Sequence, residues 1–378
     1  MWLDEVEEST LVQARNMANL PFIHRHVALM PDAHLGYGMP IGGVMATKNV
    51  VVPNAVGVDI GCGMCAVQTS LTSINTDKLK SIMALIRQWV PLGFKHHPKR
   101  QAKGLMPKPA AGVQLAALPM VNREFNNART QLGTLGGGNH FIEIQQGSDA
   151  HVWIMVHTGS RNLGYKVAQH YNRLASEKNA KEGCALPRSW QLAYLALDSA
   201  AGRNYHLEMQ YCVDFAYANR RQILARIKDA FLAVTPPVTF AKEINIAHNY
   251  AALERHFHKD VMVHRKGATR ARAGEIGIIP GSQGAPSYIV KGRGEAESFT
   301  SCSHGAGRKM GRKQAQRQLN LAAEQQRLDD QGIIHGLRSR RDLDEAAGAY
   351  KEIDQVIEGQ LDLVEVIVSL RPLAVIKG

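Results

Sequence analysis

The spacing of hydrophobic residues predicts helices in three parts of the chain. Apolar residues recur at helical intervals in 1–19 and in 76–91. The longer segment 192–233 is rich in Ala, Leu, Arg and Gln and is nearly free of Gly and Pro, so we expect one or two core helices there. Its aromatic residues are interpreted as packing residues of the core, namely Tyr194, Tyr205, Tyr211, Phe215 and Tyr217.

Short apolar runs bounded by glycine and proline predict strands elsewhere in the chain. The run 27–30 leads into 31–43, where closely spaced glycines and prolines predict a tightly turned loop. Between 261 and 292, short apolar runs again alternate with turn residues. The sequence has no internal repeat, no low-complexity tract and no Ser- or Pro-rich linker. We therefore predict a single α+β domain over residues 1–378, with mixed β-sheets and flanking helices in no regular βαβ order.

The charge of the chain favours a polyanionic partner. The 378 residues include 45 Lys and Arg against 33 Asp and Glu, a formal net charge of +12. Such an excess suits RNA, although many enzymes of small ligands are equally basic. Segment 95–104, together with Lys108, has several positive charges and no acid. It is interpreted either as a solvated linker or as an exposed loop that contacts an RNA backbone.

The cysteines and the N-terminus indicate a cytoplasmic protein. Five cysteines are an odd and sparse set for this length, which argues against a disulfide framework and favours a reducing compartment. The first ten residues are acidic and lack an apolar core, so they match neither a secretory signal nor a transit peptide. No apolar stretch is long enough for a membrane helix.

Residues that can bind a metal lie in glycine- or asparagine-rich settings. Asp59 and Cys62 are spaced so that a carboxylate and a thiolate can converge on one centre. Three histidines at strand ends or glycine turns complete the candidate set, namely His140, His157 and His248. Each histidine alone is more often a structural residue, but the repeated setting favours ligands. Mixed O, N and S ligands suit a first-row divalent ion, with Zn, Mn and Fe all open.

Two shorter motifs leave alternatives open. Asp32 and His34 form either a surface pair or a pair that orients metal ligands. Cys62 and Cys65 form a Cys-x-x-Cys pair, which is one half of a zinc ribbon. The sequence contains no second pair of this kind, so a zinc ribbon is disfavoured.

A glycine-rich segment around His304 is the candidate for covalent chemistry. Backbone N–H groups of its glycines can approach a phosphate closely, and Arg308 and Arg312, one helical turn apart, can add hydrogen bonds on one face. Segment 312–328 is rich in helix formers, so the glycines are expected to lead into a helix N-terminus, which favours anions. His304 is interpreted as a nucleophile beside a phosphate site, or alternatively as a helix cap in a glycine turn.

Together these motifs resemble the RtcB family of RNA ligases. At least seven of them occur in the family's order, from Pro31-Asp32-Ala33-His34 to Lys377-Gly378. The resemblance implies that the protein joins RNA 2′,3′-cyclic phosphate or 3′-phosphate ends to 5′-hydroxyl ends with GTP and manganese. It also implies that His304 is guanylylated. Two Mn²⁺ ions, bridged by the thiolate, would be bound by Asp59, Cys62, His140, His157 and His248.

The resemblance also implies a guanylate pocket and contacts with RNA. The pocket would comprise Asn139, His140, Phe141, Ile142, Glu143, His248, Asn249, Pro280, Gly281, Ser282, Gln283, Ser287, His304, Gly305, Ala306, Gly307 and Lys377, with Tyr350 against the base. The residues available for RNA phosphates are Arg161, Arg308 and Arg312. Gln283, Ala285 and Pro286 depart from the family's usual Met-Gly-Thr run, and the stretch between Arg161 and His248 is somewhat shortened. These departures concern which RNA the protein binds as its substrate.

The expected partner is RNA with such ends. We expect a monomer that does not bind a membrane, and the need for an activating protein partner is left open. A rival hypothesis is a metal-dependent phosphodiesterase or nuclease, which needs the same ligands but neither a nucleotide pocket nor a covalent histidine. A noncatalytic RNA-binding relative is disfavoured, because every expected ligand is present in the sequence.

Overall fold

The structure is a computed structural model that describes residues 1–3, 5–184 and 186–378. Its helices are α1 (Glu8–Ala18), α2 (Thr76–Trp89), α3 (Pro119–Gln131), α4 (Arg161–Lys181), α5 (Ala200–Val234), α6 (Arg312–Gln318), α7 (Leu321–Asp329) and α8 (Ile353–Glu358). Its strands are β1 (Ile23–His34), β2 (Ile41–Thr47), β3 (Val50–Val51), β4 (Gly63–Gln68), β5 (Phe141–Gly147), β6 (Val152–Thr158), β7 (Leu195–Ala196), β8 (Ile244–Ala247), β9 (Asn249–His256), β10 (Lys259–Lys266), β11 (Ala268–Arg270), β12 (Ile276–Ile279), β13 (Ser287–Gly292), β14 (Ser301–Ser303) and β15 (Val364–Lys377).

Two larger sheets form the framework of the described residues. One has seven strands in the order β12-β13-β15-β5-β6-β4-β8, and the other has four in the order β1-β2-β10-β9. Two further pairs are β11 with β14 and β3 with β7. The strands pair antiparallel, and within the described ranges parallel contacts are isolated bridges such as Leu92 with Gly136. The α+β fold class is confirmed, whereas a single domain over 1–378 remains a prediction.

The long helical segment expected over 192–233 is one helix of 35 residues, α5, but its start was wrong, because Leu195–Ala196 form strand β7 and the helix begins at Ala200. Its N-terminus is capped by Ser199, whose hydroxyl accepts a hydrogen bond from the amide of Gly202 at 3.0 Å. The C-terminal half packs with α2 and with strands β4, β5 and β6 in one apolar cluster, which includes Ile223, Ile227 and Phe231. Because this cluster lies on one face of the seven-stranded sheet, α5 fixes the sheet that holds the candidate ligands.

The register of three neighbouring strands places their ends at one edge of the sheet. Gly63, the first residue of β4, pairs with Thr158 at the end of β6 and with Ala247 at the end of β8. Cys62 therefore lies beside His157 and His248 by strand geometry alone.

A buried ion pair supports the strand that leads to residue 304. The guanidinium of Arg265 on β10 contacts Glu254 at 2.6 and 3.0 Å, the Ser301 hydroxyl at 2.8 Å and the Phe299 carbonyl at 2.8 Å. Both charged side chains are nearly fully buried. Strand β14, which directly precedes residue 304, pairs with β11. The first residue of β11, Ala268, donates to the carbonyl of His248, so residue 304 lies close to the ends of β4, β6 and β8.

Two expectations about the N-terminal region need correction. The opening helix is shorter than 1–19, because α1 spans Glu8–Ala18, and Asp4 lies outside the described residues. The loop expected at 31–43 was wrong at both ends, because β1 continues to His34 and β2 begins at Ile41, which pairs with His34. The pairing with β2 overrides the local turn preference of proline.

The helix expected over 312–328 is two helices. Helix α6 ends at Gln318, and the side chain of Asn320 caps α7 by accepting from the amide of Ala323 at 3.1 Å. Asparagine favours such a cap over a helix interior. Arg308 precedes α6, so its expected position one helical turn from Arg312 on a single helix was wrong.

Candidate active site

Four strand ends bring the metal-binding residues together. Cys62 precedes β4, His140 precedes β5, His157 is the penultimate residue of β6 and His248 follows β8. The residues that follow His140 pair with the end of β6, with Phe141 opposite His157. The antiparallel register therefore brings together four of the five residues proposed from the sequence, and Asp59 joins them from the preceding turn, where its carbonyl accepts from the amide of Cys62.

One group of three comprises Cys62, His157 and His248, all buried. The Sγ of Cys62 lies 3.3 Å from Nε2 of His157, and this Nε2 lies 3.4 Å from Nε2 of His248. Nδ1 of His157 lies 2.9 Å from the carbonyl of Asn139, which can only accept, so Nδ1 has the proton and Nε2 has the lone pair. The lone pair of His157 thus points toward the other two potential ligands.

A second group comprises Asp59, Cys62 and His140. Nε2 of His140 lies 3.0 Å from Oδ2 of Asp59 and 3.5 Å from Sγ of Cys62. Arg161 donates to Nδ1 of His140 at 3.2 Å, so Nε2 donates its proton to Asp59. Cys62 belongs to both groups, which is the arrangement needed for a thiolate shared by two ions.

Burial and mutual charge set the protonation of these groups. Burial holds the pKa of His157 well below its ordinary value, so the ring is a neutral ligand. Burial raises the pKa of the Cys62 thiol well above its ordinary range, and Asp59 adds to the rise. Burial alone would raise the pKa of Asp59, but the hydrogen bond from His140 and the charge of Arg161 lower it.

The residues present fit a divalent cation. Oδ1 of Asp59 and Nδ1 of His248 are buried polar atoms with no hydrogen-bond partner among the described residues. Such orphaned atoms are costly unless they bind something. A cation would also invert the effect of burial on Cys62, since coordination deprotonates a thiol. The mixed carboxylate, thiolate and imidazole set suits a first-row transition ion.

The side chain of His304 is held through Nδ1 by the carboxylate of Asp32. Nδ1 of His304 lies 2.6 Å from Oδ2 of Asp32, and this oxygen also accepts from the backbone amide of His304 at 3.1 Å. Asp32 is fully buried, so the surface-pair interpretation was wrong for this residue. His34 does not share the carboxylate; its Nδ1 contacts the backbone carbonyl of Asp32 at 3.0 Å.

The other ring nitrogen of His304 is left free for the site. Its ring centroid lies 4.8 Å from that of His248, so the histidine adjoins the metal-binding group. Gly307, which follows it, has a φ of +73° and packs against the backbone of Asp32, where a side chain has no room. Gly307 is therefore needed for the close packing against Asp32, and the glycines after His304 also leave room for a ligand.

A cavity of about 600 Å³ joins these parts. Its lining includes His157 and the segment His304, Gly305, Ala306 and Gly307. Further lining residues include Asn139, Phe141, Glu143, Pro280, Gly281, Ser282, Gln283, Arg308, Arg312, Glu345, Tyr350 and Lys377. Its volume is that of a pocket for a molecule of nucleotide size.

Known proteins resemble this chain over nearly its whole length. Residues 13–378 match the family model described as tRNA-splicing ligase RtcB. The chain belongs to the RtcB family. The RNA-splicing ligase RtcB of Escherichia coli strain K12 is 39% identical over 391 residues, which cover 99% of this chain and 95% of that protein. The tRNA-splicing ligases RtcB of Thermococcus kodakarensis and Nanoarchaeum equitans are 34% and 33% identical and cover 98% of this chain and 92% of each relative.

This RtcB chain has a buried carboxylate that sequence reasoning missed. Oε1 of Glu345 lies 2.9 Å from Nε of Arg312 and 3.2 Å from Arg308, and Oε2 lies 3.9 Å from Nζ of Lys377 and accepts from the hydroxyl of Tyr350. Burial would raise the pKa of Glu345, but the charges of Lys377, Arg308 and Arg312 lower it. Two of the three arginines expected to contact RNA phosphates, Arg308 and Arg312, are thus paired with a carboxylate in the structure.

The side chain of Lys377 is only 22% exposed, even though the residue is next to last in the chain. Its Nζ lies 5.4 Å from the centroid of the Phe141 ring, beside Glu143. Burial raises the pKa of Glu143 to about 8, although Lys377 opposes the rise. Since the last strand, β15, pairs with β5 through Lys377 and Phe141, register alone brings this lysine to the pocket.

Some residues expected at the pocket lie beside it. The side chain of Ile142 packs in the apolar cluster on the other face of β5. Ser287 is buried, and its hydroxyl accepts from the amide of Gly281 at 3.2 Å. Asn249 accepts from the amide of Gly267 at 2.7 Å and donates to the carbonyl of Asp59 at 3.2 Å. These contacts hold the turns that surround the cavity.

The cysteine pair behaves as two separate residues. Cys65 is buried among Val67, Ile82 and Ile86 on the opposite side of β4 from Cys62, and burial raises its pKa to about 12. A zinc ribbon is therefore absent from this part of the described chain. None of the helices within 1–3, 5–184 and 186–378 is long and apolar enough to cross a membrane.

Proposed function

We propose that this protein is an RNA ligase that joins a 2′,3′-cyclic phosphate or 3′-phosphate end to a 5′-hydroxyl end with GTP and Mn²⁺. Its relatives are named RNA-splicing or tRNA-splicing ligases, which supports RNA as the substrate class. The observation on which the proposal rests is the contact of Asp32 with Nδ1 of His304, because it leaves Nε2 as the free nitrogen at a cavity of nucleotide size.

His304 acts as the nucleophile in this proposal. With the Nδ1 proton held by Asp32, the lone pair of Nε2 attacks the α-phosphorus of GTP, a P–N bond forms and pyrophosphate leaves. Asp32 stabilises the positive charge that develops on the ring. A 2′,3′-cyclic phosphate end is first hydrolysed by water, which breaks the bond to the 2′-oxygen and gives a 3′-phosphate. The GMP then passes from His304 to an oxygen of the RNA 3′-phosphate. The 5′-hydroxyl finally attacks that phosphorus, the new phosphodiester forms and GMP leaves.

The metal site supplies charge neutralisation at the phosphate oxygens. Asp59, Cys62, His140, His157 and His248 would hold two Mn²⁺ ions, and cations at such a site stabilise charge that develops during phosphoryl transfer.

The remaining pocket residues position the nucleotide. The glycines after His304 let backbone amides approach phosphate, and Glu143, Phe141 and Lys377 offer a carboxyl, a ring and an amine at another part of the cavity. Arg161 lies against His140, where it can contact an RNA phosphate next to the metal site.

Intact mass spectrometry after incubation with GTP and Mn²⁺ tests the proposal. The protein should gain the mass of one GMP, and the adduct should be labile in acid and stable in base, as a phosphoramidate is. His304→Ala should lose the adduct but still seal an RNA supplied with a 3′-guanylylated end, because that substrate bypasses the covalent step.

His258→Ala serves as the matched control, because His258 is an exposed histidine in the turn before β10. It should form the adduct at the wild-type level. An adduct that persists in His304→Ala would assign the nucleophile elsewhere. Cleavage of RNA without GTP, with no adduct in the wild type, would favour the phosphodiesterase hypothesis.

A further inference from the structure

The segment that follows α2 combines an exposed aromatic ring with an uncompensated set of cations. The side chain of Phe94 is 98% exposed, although burying a phenylalanine is normally favourable. Between residues 91 and 123 the sequence contains no Asp or Glu. The exposed cations of the segment are Lys95, Lys99, Arg100, Lys103 and Lys108.

The backbone of this segment is anchored, so it is not a free linker. Gly93 donates to the carbonyl of Gly136 at 3.1 Å, and His97 donates to the carbonyl of Thr130 at 2.9 Å. Gln101 donates to the carbonyl of Arg129 at 3.0 Å, and Nε of Arg129 donates back to the carbonyl of Gln101 at 2.8 Å. The side chains of the five cations make no ion pair with the described part of the chain.

The anchored segment adjoins the candidate active site. Gly93 packs against Gly137, in the turn that ends at Asn139 and His140. In the same turn Gly136 has a φ of +86° and lies against the guanidinium of Arg161, which in turn contacts His140. An RNA strand bound at the metal site can therefore continue onto Phe94 and the cations beyond it.

We propose that Phe94 and these five cations form a docking surface for single-stranded RNA. A base stacks on the ring of Phe94, and the following phosphates contact the lysines and Arg100. Single-stranded RNA offers both groups at once, an unpaired base face and a regular series of phosphates. The inference rests on the proposed function, because it takes the RNA whose end reacts at the metal site as the occupant.

Fluorescence anisotropy with a labelled single-stranded RNA of about 12 nucleotides, within the usual site size of such surfaces, tests the stacking contact. The RNA has 5′-hydroxyl and 3′-phosphate ends, and GTP and Mn²⁺ are omitted. Phe94→Leu should weaken binding about tenfold through loss of one base stack, whereas Phe94→Trp should restore it, because tryptophan keeps an aromatic face. Equal affinities of Phe94→Leu and the wild type would overturn the proposal.

A second comparison tests the cations. The double variant Lys99→Ala/Arg100→Ala should reduce the slope of log affinity against log salt by about 0.7 for each RNA phosphate that the two side chains no longer neutralise. The matched control, Arg255→Ala/Lys259→Ala, removes one exposed arginine and one exposed lysine from β9 and β10 and should keep the wild-type slope. An identical decrease in the control would also overturn the proposal.

The two proposals fail in different ways. The affinity comparison needs no GTP, so it gives its result whether or not His304 is guanylylated. A wild-type protein without a GMP adduct contradicts the proposed function, whereas an unchanged affinity of Phe94→Leu contradicts the docking surface.

Discussion

Two cysteines three positions apart have different roles because their side chains lie on opposite faces of the sheet. Cys62 faces His140 and His157, whereas Cys65 packs in the apolar cluster below β4. Burial raises the pKa of both thiols, so neither is ionised in the absence of a cation. The difference between them is the set of neighbouring ligands, which only the fold reveals.

Removing the Cys62 thiol should abolish binding of one or both metal ions. Cys62 is the member shared by the two groups of potential ligands, so Cys62→Ala removes a ligand from each. Elemental analysis after loading with Mn²⁺ and desalting measures the stoichiometry. Cys65→Ala is the matched control and should bind metal like the wild type. Full stoichiometry in Cys62→Ala would contradict the proposed centre.

Side chains in motifs could be predicted from sequence, but their partners could not. Asp32 was recognised as a candidate because it lies two residues before a histidine, yet its contact with His304 joins positions 272 apart in the chain. Glu345 was missed because nothing in its spacing distinguishes it from a surface acid. Its function in pairing Arg308 and Arg312 exists only after the turns before α6 have folded around it.

At the scale of elements, the long helix was predictable and the contacts it makes were not. Length and composition predict α5 and its end but not its start at Ala200, because propensity summed over many residues indicates a helix without fixing its boundary. The break between α6 and α7 depends on one capping asparagine in a segment of good helix formers. The strand at 31–34 depends on its partner strand, which the local sequence does not specify.

Helix α5 also contributes one buried cation to the edge of the sheet. Arg220 is fully buried, and its Nη1 donates at 2.9 Å to the carbonyls of both Gly61 and Thr158, next to Cys62 and His157. Its Nε donates to Asn245 at 2.6 Å. One helix residue thereby ties together β4, β6 and β8 at the positions where the ligands lie.

Replacing this residue should weaken the fold and the metal centre together. Arg220→Met leaves two buried carbonyls without this donor, at about 1–3 kcal/mol each, and removes the part-buried hydrogen bond to Asn245, so the free energy of unfolding should decrease by at least about 2 kcal/mol. Urea denaturation measures the decrease. Arg221→Met, at the exposed neighbouring position, should change stability by less than about 0.5 kcal/mol. Similar midpoints for the two variants would contradict this function of Arg220.

At the scale of the whole molecule, two buried groups make stability depend on pH in opposite directions. Burial raises the pKa of Glu143 to about 8, so its contribution to stability is present at low pH and is lost as pH rises through about 8. Burial lowers the pKa of Lys266 to about 7. Between about pH 8 and 10 the effect of Glu143 is complete. Buried thiols such as Cys65 also affect stability there, so the contribution of Lys266 is measured as the difference between the wild type and a variant without the amine.

Lys266 should make the protein more stable as pH rises through that window. Its amine donates to the carbonyls of Tyr37 at 2.6 Å and Asn54 at 3.2 Å but has no carboxylate partner among the described residues. The folded state therefore disfavours the charged form. The unfolded chain, with an ordinary lysine pKa of 10.5, binds more protons there, and the free energy of unfolding rises by up to about 1.4 kcal/mol per pH unit. Lys266→Met should lose this slope, and Lys259→Met, at an exposed position on the same strand, should keep it. Urea denaturation at several pH values measures both, and parallel curves for Lys266→Met and the wild type would show that the buried amine keeps an ordinary pKa.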